Sequence, residues 1–78
     1  MVKVKYLAVI EQGPDNYSAY LPDVSGCVAT GKTIEETLHR LARALEMHLA
    51  GLEEDGLLLP VPTTAGEYLE LPSHQVRG

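Results

Sequence analysis

Residues 31–56 read GKTIEETLHRLARALEMHLAGLEEDG. Thr33 followed by Glu36 has the spacing of a capping box: the Thr hydroxyl accepts from the amide at the third helical position while the Glu side chain returns to the cap's own amide. A helix is therefore predicted to begin after Thr33. Ile34, Leu38, Leu41, Leu45, Leu49 and Leu52 follow at three- and four-residue steps and draw one apolar stripe, with Glu35, Arg40, Arg43 and Glu46 elsewhere on the cylinder. Gly56 marks the end. At about 1.5 Å per residue such a helix is roughly 30 Å long, enough to lie along an entire nine-residue strand at about 3.3 Å per residue.

Immediately before the helix, LPDVSGCVATG at residues 21–31 is dense in chain-turning residues. Pro22 has no amide to give a ladder and closes a strand. Asp23 is expected to accept hydrogen bonds from amides of its own turn, and Ser25-Gly26 supplies a corner where glycine tolerates positive φ. Gly31 frees the backbone ahead of the cap. Cys27, beginning a strand with no second cysteine in the chain, reads as a small core residue rather than a nucleophile.

Further upstream, Val2 to Ile10 alternates, with Val2, Val4, Tyr6, Ala8 and Ile10 on one side and Lys3, Lys5, Leu7 and Val9 on the other. This predicts a first strand. EQGPDN at 11–16 is turn chemistry, Tyr17 to Leu21 is a second short strand pairing antiparallel with the first, and Cys27 to Thr30 is a third. Downstream, LLLPVPTTAG at 57–66 is too broken by proline for a helix, and Glu67 to Leu71 alternates as a fourth strand returning parallel beside the first. The expected architecture is thus α+β in the order β-β-β-α-β. It consists of a small, mainly antiparallel sheet with one long helix packed on one face. Residues 1–71 form a single domain and 72–78 a flexible tail.

The chain has 78 residues and a net charge of −5, distributed as +2 over 1–10, −3 over 11–30, 0 over 31–50 and −4 over 51–78. One domain of this size sits near the lower limit for an unaided hydrophobic core. Without Phe or Trp that core is aliphatic. An acidic chain lacking a basic stripe is repelled by phosphate backbones, so direct nucleic-acid binding is not expected, whereas a basic protein partner is attracted. No apolar run approaches the roughly 20 residues of a membrane span, and one cysteine without a signal-peptide pattern points to the cytoplasm.

Tyr20-Leu21-Pro22-Asp23-Val24-Ser25-Gly26-Cys27, then Ala29-Thr30-Gly31-Lys32-Thr33-Ile34-Glu35-Glu36-Thr37-Leu38, together with the preceding hairpin and LPVP at 59–62, resembles the signature of the HicB-type antitoxin family over residues 4–71. The resemblance implies a partial ribonuclease-H-like fold, usually a homodimer or higher oligomer, that neutralises a small basic messenger-RNA-cleaving toxin of the HicA type. Many members add a C-terminal DNA-binding domain. Only seven residues follow Leu71 here, which fits a short form without it.

Catalytic readings fare poorly beside this one. Metal-dependent nuclease chemistry needs several carboxylates converging on two cations, but Glu11 and Asp15 fall in a turn and Glu35 and Glu36 serve the helix N-terminus. Ser25, Asp23 and His39 have the residue types of a hydrolase triad without a spacing that unites them. His39, His48 and His74 fit no common metal motif. His48 is expected partly buried beside the stripe and His39 solvated. Gly26 to Thr33 satisfies G-x-x-x-x-G-K-[ST], yet the four residues between the glycines are wanted as a strand, and the chain is too short for the sheet a nucleotide site needs. No cofactor or metal is expected.

A binding module is therefore predicted. Asp23, Val24, Ser25 and Gly26 in the loop, and Glu53, Glu54 and Asp55 at the acidic end of the helix, are the candidate contacts for a toxin. Leu7, Val9, Leu57, Leu58 and Leu59 leave an apolar surface that one helix does not reach. The C-terminal segment or a second copy must cover it, and the small size of the domain favours the second copy. The alternative is a stand-alone oligomeric module for another protein or a small ligand.

Overall fold

The computed structural model describes residues 4–72. Three strands, β1 (Val9–Gln12), β2 (Tyr17–Tyr20) and β3 (Val28–Gly31), precede one helix, α1 (Ile34–Glu54). The sheet is an antiparallel meander in the order β1-β2-β3. Its register pairs Val9 with Tyr20 and Gln12 with Tyr17, then Tyr17 with Gly31 and Tyr20 with Val28. The α+β class and the helix on one face of a small antiparallel sheet are as the sequence predicts.

Alternation assigns the two faces. Ile10, Ala19 and Ala29 lie in one cross-strand row, and buried Ala19 places that row toward the helix. Ala19, Leu21, Val24, Cys27 and Leu41 are the buried apolar centre, with Tyr6, Ala8, Ala29 and Leu45 packed around it. The neighbouring row, Val9, Tyr20 and Val28, therefore occupies the opposite face.

Thr33 caps α1 as predicted, in extended conformation, with its Oγ1 accepting from the amide of Glu36 at 3.0 Å. The reciprocal half of the capping box is not made. The Glu36 carboxylate turns instead to Arg40, 2.6 Å away, and Arg40 also donates to the Thr30 carbonyl at 2.9 Å, tying the first turns of the helix to β3. Thr37 is fully buried, a cost removed by its hydroxyl donating to Thr33 O at 2.7 Å. Gly31 is required by close approach rather than by φ: a Cβ there would stand 2.7 Å from Thr37 Oγ1 and 2.9 Å from Thr37 N. At the far end Gly56, at φ +70°, turns the chain out of the helix.

Several expectations are corrected. The first strand covers Val9–Gln12: residues 4–8 lie outside the ladder, and Glu11 and Gln12, expected in the turn, pair with Ser18 and Tyr17. The helix crosses over β3 and β2 rather than running the length of β1. Ile34, at the start of the stripe, and His48 beside it are both exposed. The fourth strand is not formed: residues 57–71 make no ladder and run as an extended, mostly exposed arm. Lys3, His74 and most of the predicted tail, residues 73–78, lie outside the described residues.

Candidate functional site

The loop between β2 and β3 is built by its own backbone. Val24 N donates to Leu21 O at 3.1 Å, Cys27 N to Val24 O and Leu21 N to Cys27 O at 3.4 Å each, and Gly26 takes φ +85° at the corner. This closed turn drives the side chains of Leu21, Val24 and Cys27 into the core. Val24, 1% exposed, is thus a core residue and offers no side chain to a partner. Burial also pushes the Cys27 thiol above its usual range, which disfavours the thiolate. Ser25 and Gly26 remain on the surface.

Asp23 does not hold its own turn. It binds the arm instead. Thr63 and Thr64 both donate their amides to Oδ2 at 2.9 Å, and their hydroxyls reach Oδ1 at 3.0 and 2.8 Å. The Thr64 amide, then the Thr64 hydroxyl, hold the Asp23 carboxyl below its ordinary value; partial burial works against them and the Thr63 donors add to them. A second tie lies nearer the helix, where the Tyr6 hydroxyl donates to the Pro60 carbonyl at 2.7 Å. A third is steric: Gly66 crosses over Leu7, whose methyls would stand 3.3 Å from a Cβ at that position.

Beyond Gly66 the arm stands clear of the sheet. A cleft of about 300 Å³ is lined by Gly66, Glu67 and Tyr68 of the arm and by Leu7, Val9 and Ile10 along the free edge of β1. Tyr68 is fully exposed and Leu69 is 94% exposed, with Leu58, Val61 and Leu71 also outward. On the sheet face away from the helix, Tyr20 is 41% and Val28 68% exposed beside half-buried Val9. Leu7 is half-buried beneath the arm, Leu57 and Leu58 are exposed and Leu59 is half-buried. The chain's own C-terminal segment thus covers Leu7, while Tyr20 and Val28 leave apolar surface open on the same face. Tyr20 and Val28 were legible only once the β2–β3 register placed them in the row with Val9.

The other candidate region is the end of α1. Glu53 and Glu54 close the helix, Asp55 is its C-cap, all three are exposed, and the last turn holds no basic residue. Carboxylates at this end face the negative pole of the helix dipole, an arrangement that costs about 0.3–1 kcal/mol per charge. The loop is held to the rest of the chain in two ways: Leu21, Val24 and Cys27 pack into the core beside Ala19 and Leu41, and Asp23 holds the arm.

Among the described residues the Asp23 carboxylate is engaged by Thr63 and Thr64. No three His, Cys, Asp or Glu side chains among them are grouped to hold a metal ion. Val28 to Gly31, the middle of the Gly26–Thr33 pattern, is strand β3 paired with β2, and Gly31 is pressed against Thr37, so the stretch does not wrap as a phosphate loop. His39 is exposed. No helix among the described residues is long and apolar enough to cross a membrane.

A three-stranded meander under a single capped helix, with apolar and acidic patches on its surface, is a small α+β domain. Its family is given by comparison: the profile of the HicB-like antitoxin of bacterial toxin-antitoxin systems matches residues 6–76, and the chain belongs to that family. Membership places it among antitoxins and favours a non-enzymatic role. A Helicobacter pylori protein described as a UPF0150 protein is 44% identical over 50 residues, 64% of this chain and 69% of that protein. An uncharacterized 14.9 kDa protein from the rep-hol intergenic region of Haemophilus phage HP1 is 31% identical over 70 residues, covering 90% of this chain and 53% of its own. The chain thus spans about half the length of the phage relative. No solved structure matches the chain significantly.

Proposed function

We propose that this protein neutralises a small basic RNA-cleaving toxin of the HicA type by stoichiometric binding in the cytoplasm, without turning over a substrate. The observation that carries the reading is the uncompensated acidic end of α1. Glu53, Glu54 and Asp55 are exposed together at the pole of the dipole where anions are least favoured, and no cation of the last turn answers them. A cationic surface laid on this end relieves that repulsion and is steered to it by the charge of the whole chain. Ser25 and Gly26, outward on the β2–β3 loop, are further contacts. Asp23 reaches a toxin only through the arm it holds.

Calorimetric titration against the product of the neighbouring gene, where that gene encodes a small basic protein, tests the proposal. The expected result is a saturable complex of fixed stoichiometry that weakens steeply with salt and blocks RNA cleavage. A basic neighbour that cleaves RNA unhindered in the presence of excess protein overturns it.

A further inference from the structure

The clasp on Asp23 is made by hydroxyls as well as amides, and those hydroxyls lie at the surface. Thr63 and Thr64 each place an O–H on Oδ1, at 3.0 and 2.8 Å. Both residues are exposed, in a stretch of the arm that belongs to no ladder or helix. Enzymes that modify side chains take up their target peptide in extended form, and this segment is already extended. Besides the Asp23 bonds, it is held by the Tyr6 hydroxyl on Pro60 and by the crossing of Gly66 over Leu7. Lifting it away therefore opens little of the core.

The residues that follow single out Thr64. In Thr64-Ala65-Gly66-Glu67 a carboxylate stands three positions after the hydroxyl, and Glu70 adds a second. No Lys or Arg occurs between Arg43 and Arg77 to offset them. A protein kinase with a basic substrate groove selects such a context by charge complementarity. Thr33 has the same spacing to Glu36, but its hydroxyl accepts from the Glu36 amide as the cap of α1, inside folded structure. The other Ser and Thr residues among the described ones have no carboxylate at that position.

We propose that Thr64 is a phosphorylation site for an acid-directed serine/threonine kinase, and that the phosphate unfastens the arm by confronting the Asp23 carboxylate. The Thr64 hydroxyl proton passes to the kinase's base and Oγ1 forms a bond to the γ-phosphorus of ATP. The bond from that phosphorus to the β–γ bridging oxygen breaks, and ADP leaves. The modified side chain has no hydroxyl left to donate to Oδ1. In its place it carries about 1.5–2 negative charges at pH 7, beside a carboxylate that its hydrogen bonds hold ionised. Asp23 forms no ion pair among the described residues that the phosphate could share. The switch is independent of any toxin, since it needs only the contact between Asp23 and Thr64.

The full chain can be made with Thr64 phosphorylated by joining two synthetic peptides at Cys27, the downstream one carrying the phosphate. The NMR proton–proton contact between Gly66 and the Leu7 methyls reports whether the arm lies on the domain. Its intensity is expected to fall at least about fivefold on phosphorylation, while amides in the middle of α1 keep their protection. In Asp23→Arg the sign is expected to reverse, the phosphate strengthening that contact, because a guanidinium binds a phosphate where a carboxylate repels it. Casein kinase 2 with ATP, followed by fragment mass spectrometry, is expected to label Thr64 at least about tenfold faster than Thr33, whose hydroxyl is engaged at the helix cap. Failure to label Thr64, a phosphate there that leaves the Gly66 contact intact, or an equal loss of that contact in Asp23→Arg each overturns the proposal.

Discussion

Thr64 donates twice to the Asp23 carboxylate, its amide to Oδ2 at 2.9 Å and its hydroxyl to Oδ1 at 2.8 Å, across 41 positions of sequence. Thr63 repeats the pattern, so one side chain fixes two consecutive residues of the arm. Asp23→Asn keeps the shape but removes the charge: its carbonyl can still accept the two amides, while its NH2 faces the two hydroxyls, which must turn from donors to acceptors, so four charge-assisted bonds become ordinary ones. The arm is expected to loosen: exchange of the Thr63 and Thr64 amides should quicken several-fold, while amides in the middle of α1 keep their protection. Equal quickening in both places would mean that Asp23 supports the whole fold.

The same bonds set a pH window. Because they favour the ionised form, Asp23 titrates below its ordinary 3.8 when folded. A depressed folded value means that the stabilisation is fully present above the unfolded value and is lost as pH falls through the folded one. Acidification below 3.8 should therefore release the arm. Loss of the Thr64 amide's hydrogen-bonded chemical shift in that range, absent at pH 6 and absent as a transition in Asp23→Asn, is the measurement.

Local chemistry explains what the sequence revealed. Thr33 and the leucine spacing are interactions within one turn or one stripe, so the start of α1 and its buried face could be read directly, and the turn-forming EQGPDN likewise gave the hairpin. The first strand was overextended because alternation in Lys3 to Ala8 speaks of extended chain and not of a neighbour to pair with; β2 is only four residues long and its ladder ends at Val9. The partners of Asp23 were illegible for a related reason. Thr63 and Thr64 lie in a proline-broken segment with no periodicity, and only the chain's path around the Gly56 turn brings them back. Val24 looked like a surface loop residue until the 21–27 backbone bonds turned it inward.

Gly31 is a second residue whose reason is tertiary. A Cβ at 2.7 Å from Thr37 Oγ1 and 2.9 Å from Thr37 N forces α1 away from β3. Gly31→Ala is expected to cost about 1–3 kcal/mol, the usual range for overpacking, seen as a lower urea midpoint with an unchanged slope. Adding Thr37→Ala should not rescue it, because the backbone nitrogen remains in the way and the hydroxyl's bond to Thr33 O is lost as well.

At the start of the helix two neighbouring polar contacts differ in worth. Thr33→Ala removes the acceptor for the Glu36 amide and should cost about 1 kcal/mol. Glu36→Gln breaks only the pair with Arg40, whose side chains are 57% and 38% exposed, and should cost well under 1 kcal/mol in about 0.15 M salt. Chemical denaturation of the two variants gives the ranking, and a larger loss for Glu36→Gln would show that the Arg40 bridge to Thr30 depends on that pair.

At the other end of α1, stability and binding are expected to move in opposite directions. Glu54→Lys replaces an anion with a cation at the negative pole of the helix and should stabilise the protein by about 0.3–1 kcal/mol at low salt. If the acidic end receives a basic toxin, the same change should weaken that complex by about tenfold or more, chiefly through slower association and a shallower salt dependence. Most substitutions that impair binding do so by unfolding the protein, and this one excludes that explanation because the variant melts higher than the parent. Thermal unfolding and titration on the same samples decide it: a stabilised variant that binds as tightly as the parent moves the toxin contact away from Glu53, Glu54 and Asp55.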